Sequence, residues 1–134
     1  MNGWTEADVA RVEGRTVAAP KANKYGRVRK EIDGILFDST KEARAYIDLM
    51  AMQRLGHIDK LERQVPFVLQ EKMNGFRAIK MVVDFLVTWS PLIVVPHPQT
   101  VIEVKSRATR TPAYCIKRKL FAAKYPNIEY KEWM

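Results

Sequence analysis

Met81-Val82-Val83-Asp84-Phe85-Leu86-Val87 is apolar at every position but one. Successive residues of an extended chain point to opposite faces, so a run apolar in both phases reads as a strand covered on both sides. The stretch therefore predicts the central strand of a sheet, within a longer strand from Phe76 to Trp89. Asp84 is the exception. A carboxylate among such neighbours is costly to bury unless it is paired or holds a cation. The competing reading, an aspartate capping a strand end, lacks a nearby turn residue, so the cation reading is preferred.

Downstream, Ile102-Glu103-Val104-Lys105 repeats the pattern within a strand from Thr100 to Ser106. Glu103 and Lys105 share a face, roughly 7 Å apart along the strand, while Ile102 and Val104 point the other way. If the Asp84 strand is its neighbour, two carboxylates and one ammonium converge. Metal-dependent phosphodiester cleavage requires such a set: acids to hold a divalent cation and a lysine to steady the attacking water or the developing charge. Taken alone, Glu-x-Lys equally describes a surface ion pair on an edge strand.

Working outward, Asp33-Gly34 and Asn74-Gly75 are type I′ hairpin signals. The first joins Val28–Ile32 to Ile35–Phe37. Ser39 opens a helix whose stripe is Ala43, Tyr46, Ile47 and Met50, widened by Leu49 and Leu55 and stopped by Gly56. Leu61–Leu69 predicts a strand in which Pro66 implies an edge position or a bulge. Ser90–Gln99 holds three prolines and reads as a long connection, within which Leu92–Val95 offers a short strand extension. Thr111-Pro112 is an N-cap followed by proline at the first helical position. Ala113, Ile116, Leu120 and Ala123 form that helix's expected buried face. Pro126 ends it, and Ile128–Trp133 is the last strand. Hairpin, helix, strands, helix, strand predicts an α+β fold, a mixed sheet packed by two helices.

Glu42 has two readings. Ser39-Thr40-Lys41-Glu42 is a capping box with Glu42 at N3. The same acid ends the core stripe one turn before Tyr46 and is a candidate third carboxylate beside Asp84. Tyr114, Lys117 and Lys124 share a flank of the last helix with Arg118 nearby, and Arg107 and Arg110 lie in the preceding loop. They read either as a solvated face covering apolar surface with aliphatic stems or as phosphate contacts. In the second reading Lys105 and Lys117 frame the scissile phosphate. Lys21, Lys24, Arg27, Arg29 and Lys30, with Tyr25 among them, are a solvated tail or an arm that touches phosphates. Gln64 is a surface residue or a hydrogen-bonding neighbour of the site. His57 and His97 are too isolated for a histidine metal motif.

The chain has 134 residues, 47% of them hydrophobic and 28% charged, which suits one soluble globular core. Residues 1–24 read as a basic N-terminal arm and 25–134 as a single domain. No apolar run approaches the roughly 20 residues that span a bilayer. No signal peptide is evident, so a cytoplasmic protein without membrane partners is expected. Cys115 is the single cysteine, which excludes an intrachain disulfide and a cysteine zinc cluster. The net charge of +8 favours a polyanionic partner, most simply nucleic acid.

Phe37-Asp38-Ser39-Thr40-Lys41-Glu42-Ala43, Gln64, Val83-Asp84-Phe85, Ile102-Glu103-Val104-Lys105, Tyr114, Lys117 and Lys119-Leu120-Phe121, in that order, resemble the PD-(D/E)XK nuclease superfamily. More narrowly, the chain resembles small phage and prophage proteins catalogued as an uncharacterised domain and regarded as endonucleases akin to Holliday-junction resolvases. The resemblance covers about residues 24 to 133. It implies a core of helix, three-stranded antiparallel meander, helix and strand. It implies Mg²⁺ or Mn²⁺ held by Asp84, Glu103 and the Val104 carbonyl, with Glu42 assisting, and Lys105 orienting the nucleophilic water. Products with 5′-phosphate and 3′-hydroxyl ends, branched DNA as substrate, DNA recombination as the setting and a homodimer follow from the same resemblance. Val83 stands where the motif has proline, and the Ser90–Gln99 loop is longer than the pattern. Two other classes fit the basic surface: a non-catalytic nucleic-acid-binding module, and a protein-binding accessory factor of a phage replication or packaging complex.

Overall fold

The computed structural model describes residues 30–133. The start of the first strand at Val28, and Lys24, Arg27 and Arg29, lie outside the described residues. The chain divides into two compact units, with the boundary between Arg54 and Leu55.

In the first unit, β1 (Lys30–Ile32) and β2 (Ile35–Phe37) pair antiparallel, Ile32 opposite Ile35. Asp33 and Gly34 both take positive φ, 52° and 77°, as a type I′ turn requires. Helix α1 (Thr40–Arg54) follows. The Ser39 hydroxyl accepts the Glu42 N–H at 3.1 Å, which satisfies one of the helix's orphan donors. Ala43, Ala45, Tyr46 and Leu49 are buried, while Ile47 and Met50 are half-buried. Tyr46 packs its ring 5.1 Å from Phe37 and donates its hydroxyl to Asp33 Oδ2 at 3.4 Å, so helix and hairpin turn are joined.

The second unit holds β3 (Ile58–Gln70), β4 (Ile79–Trp89), β5 (Gln99–Val104), α2 (Pro112–Lys124) and β6 (Ile128–Trp133). The sheet order is β3-β4-β5-β6. The first three strands form an antiparallel meander, and β6 returns parallel to β5 across α2. With the small hairpin and two helices this is an α+β fold. The double-faced apolar run lies, as expected, on an interior strand: Val83, Phe85 and Val87 of β4 are fully buried. Pro66 is on β3, an edge strand of this sheet, where a missing N–H is tolerated. Leu92–Val95 is not a strand. Its residues bend between prolines, and Val94 is fully exposed.

Helix α2 is capped as predicted, with Thr111 Oγ1 accepting the Tyr114 N–H at 3.1 Å. Its buried face differs. Tyr114 and Phe121, two turns apart, are buried, whereas Ala113 and Ala123 are exposed and Ile116 is 62% exposed. The rings offer far more area than alanines, and the half-buried Cys115 and Leu120 pack beside them. Phe121 sits 5.0, 5.1 and 5.2 Å from the rings of Phe67, Tyr125 and Tyr130, which close the core against Leu69, Met81 and Val83. Among the described residues no helix is long and apolar enough to cross a membrane.

Candidate functional site

Asp84 and Glu103 meet where the β4–β5 ladder stops. Registered pairs run from Thr88 opposite Gln99 to Phe85 opposite Ile102. At the next position side chains replace the backbone bonds. The Asp84 N–H donates to Glu103 Oε1 and the Val104 N–H donates to Asp84 Oδ2, both at 2.8 Å. Each acid is fixed by the other strand's backbone, and such charge-assisted bonds are stronger than neutral ones.

Fixing them has an electrostatic cost. Glu103 is 5% exposed, and its carboxyl is pushed up to about 7 by burial first and by the negative charge of Asp84 second. The Asp84 N–H and Lys105 oppose that shift. Asp84 is also raised, by burial, against the Val104 N–H, Lys105, a side-chain hydrogen bond from Gln64, and Arg63. Two desolvated carboxyls at one spot resist joint ionisation until positive charge compensates them.

Lys105 supplies part of that charge. Its Nζ lies 3.5 Å from Glu103 Oε2 and 4.1 Å from the centroid of the Tyr114 ring. The expectation that Glu103 and Lys105 share a face therefore holds. The Lys105 N–H donates to the Trp133 carbonyl on β6 at 2.9 Å. In a planar trans peptide the carbonyl points opposite to the N–H, so the Val104 carbonyl leaves β5 on the β4 side. Glu103, Lys105, Tyr114 and Lys117 line an open cleft of about 240 Å³ with Met81 and Val82.

Gln64 lies inside β3, between the pairs Arg63–Phe85 and Val65–Val83, at the level of Asp84. Its φ of 51° is rare for a residue other than glycine and costs backbone energy. From this interrupted strand the Gln64 side chain favours the charged form of Asp84.

Tyr130 and Glu132, which carried no signal in the sequence, complete the surroundings. Glu132 on β6 is in register with Glu103. It accepts the Tyr114 hydroxyl at 2.6 Å and Arg110 Nε at 3.0 Å, and these two donors hold it below the usual carboxylate range. The Tyr114 and Tyr130 hydroxyls are 2.9 Å apart, and the Arg118 guanidinium stacks 3.9 Å over the Tyr130 ring.

The expected phosphate contacts therefore divide. Tyr114 is buried as the platform beneath Lys105, and Arg110 and Arg118 are engaged within the unit. Lys124 pairs with Glu71 at 3.6 Å. Lys117 lines the cleft, and Arg107 stands exposed in the Ser106–Thr109 turn. Glu42 belongs to the first unit, where its backbone completes the Ser39 cap. Among the described residues no three His, Cys, Asp or Glu side chains form a metal-binding group.

A search of curated proteins gives no match. Residues 22–134, which include the whole carboxylate and lysine cluster, match the family model described as protein of unknown function DUF1064, and the chain belongs to that family.

Proposed function

We propose that the chain is a divalent-metal-dependent DNA endonuclease. The observation that carries this reading is the end of the β4–β5 ladder, where Asp84 and Glu103 are cross-braced beside Lys105. The element order supports it. Helix, three-stranded meander, helix and strand is the arrangement the PD-(D/E)XK resemblance implies, with the aspartate on the second meander strand and Glu-x-Lys on the third.

The donor set fits the implied cation. Two carboxylates and a carbonyl on one side of β5 are hard oxygen ligands suited to Mg²⁺ or Mn²⁺. Both acids are raised by burial, which a bound cation would relieve. Asp84, Glu103 and the Val104 carbonyl would hold it. When bound, it supplies Lewis-acid stabilisation of the phosphodiester and lowers the pKa of the attacking water. The protein's own groups do the rest. Gln64 favours the charged form of Asp84. Lys105, held between Glu103 and the Tyr114 ring, orients the water and offsets charge developing on the phosphate. Lys117, Arg107 and the cations Lys24, Arg27 and Arg29 grip the backbone without reading bases. Branched DNA and a homodimer making paired cuts are the finer form of this proposal.

The test is a panel of labelled four-way junctions, flaps, linear duplex and single strands with Mg²⁺ or Mn²⁺. Cleavage that disappears in Asp84→Ala and Glu103→Ala is expected. A wild-type protein that cuts nothing on the panel would sink the proposal. Salt-sensitive binding indifferent to Ca²⁺ would favour the non-catalytic module instead.

A further inference from the structure

The β3–β4 hairpin continues beyond the carboxylates. Pairing of β4 with β5 ends at Phe85, whereas pairing with β3 continues to Ile79 opposite Gln70. The ribbon ends in Met73-Asn74-Gly75-Phe76. Asn74 and Gly75 take φ of 48° and 79°, and Met73 and Phe76 exchange backbone hydrogen bonds of 3.2 and 2.8 Å. This is the tight type I′ turn expected from the sequence, and it fixes the tip.

The tip carries apolar side chains where a solvated turn needs none. Phe76 is 73% exposed, Met73 49% and Ile79 37%. They line an open concavity of about 490 Å³ together with Arg77. Lys72, Arg77 and Lys80 in the same stretch are exposed and have no ion-pair partner among the described residues. The neighbouring acid, Glu71, is paired with Lys124.

The same tip of a second copy is a poor cover, because Lys72, Arg77 and Lys80 would meet the same three cations. Duplex DNA complements it, with phosphates outside and flat apolar bases within. Apolar side chains that enter a base step and unstack it are an established way to hold DNA. We infer that Phe76 is a wedge that enters a base step of duplex DNA while Lys72, Arg77 and Lys80 hold the flanking phosphates. The inference takes its polymer from the proposed nuclease reading. Phe76 precedes Asp84 by eight residues on the same hairpin arm. That is at most about 26 Å of extended chain, or about eight base-pair steps at roughly 3.4 Å each. The opened step therefore lies within about eight steps of the cut.

The experiment places 2-aminopurine at successive positions of a duplex and of a four-way junction and records its fluorescence with protein in EDTA, then records cleavage in Mg²⁺. Wild-type protein is expected to raise the signal at a discrete step. Phe76→Ala removes the rise and weakens binding about tenfold. Phe76→Trp keeps the rise, and its indole emission is quenched on binding. An equal rise with Phe76→Ala overturns the wedge. So does Phe76-dependent binding to phosphatidylserine vesicles without any response from DNA. Cleavage by wild-type protein without a rise overturns the wedge and leaves the nuclease proposal standing. A Phe76-dependent rise without cleavage does the reverse.

Discussion

Glu103 and Glu132 are the same residue type, in register on adjacent parallel strands, yet their surroundings drive them in opposite directions. Glu132 faces a tyrosine hydroxyl and an arginine, stays close to solvent, and keeps its charge easily. Glu103 is buried against another carboxylate with one lysine nearby. Glu132 has its donors within the protein and needs nothing further. Glu103 has only Lys105 nearby to offset burial and the Asp84 charge, a deficit that the proposed cation would relieve. The difference separates a brace from a candidate working group.

Exchange of each residue is the sharpest test of that contrast. Glu103→Gln is expected to lower divalent-dependent cleavage about 10³-fold or more, whereas Glu132→Gln should change it less than about tenfold in the same assay. Equal losses would erase the distinction.

Stability against pH tests it next. The Glu103 carboxyl titrates near 4.5 unfolded and about 7 folded, so between those values the native state holds a proton that the unfolded state has lost. Its contribution is therefore greatest below the unfolded value and falls as pH rises through about 7. Asp84, also raised, acts in the same direction. Glu132, lowered, contributes above its unfolded value and loses that contribution as acid is added. Urea melts of metal-free protein should lose on the order of 2 kcal/mol between about pH 5 and pH 8. Glu103→Gln should flatten the profile, and Mg²⁺ should restore stability at the alkaline end in wild type more than in that variant.

Tyr114→Phe keeps the ring beneath Lys105 and removes the hydroxyl that holds Glu132. A loss of about 1 kcal/mol in stability is expected, with cleavage nearly intact. A collapse of activity would show that the brace and the working group are one unit. The smallest effect belongs to Glu42→Gln, which preserves capping-box chemistry and should move the melting free energy by less than about 0.5 kcal/mol. Cleavage by that variant then reports on the carboxylate apart from the cap.

The legible parts of the sequence were those decided locally or by burial. Asp33-Gly34 and Asn74-Gly75 specify their turns because both residues must take positive φ. Thr111-Pro112 specifies a helix start, and the apolar run around Asp84 specifies an interior strand. The acids were legible because a buried charge stands out from its neighbours. What escaped depends on contacts distant in sequence. The buried face of α2 differs because Ala113, Ile116 and Ala123, which are exposed, follow a helical period as well as Tyr114 and Phe121 do, while Leu120 does pack against the core as expected. Only the aromatic partners from β3 and β6 decide between them. Glu132 and Tyr130 acquire their roles from the parallel register across α2, which no local pattern encodes. The engagement of Arg110 and Arg118 within the unit is hidden for the same reason. The strained backbone of Gln64 has no compositional sign at all.

The exchange of backbone bonds for side-chain bonds at the end of the β4–β5 ladder also gives the protein two intrinsic reporters. The amides of Asp84 and Val104 donate directly to the two carboxylates. Any change in protonation or charge at those oxygens must alter the shielding of these two amide protons and their exchange with water. Their nuclear resonance frequencies therefore read out the state of the acids during a titration with H⁺ or Mg²⁺, without a label, a substrate or a turnover event.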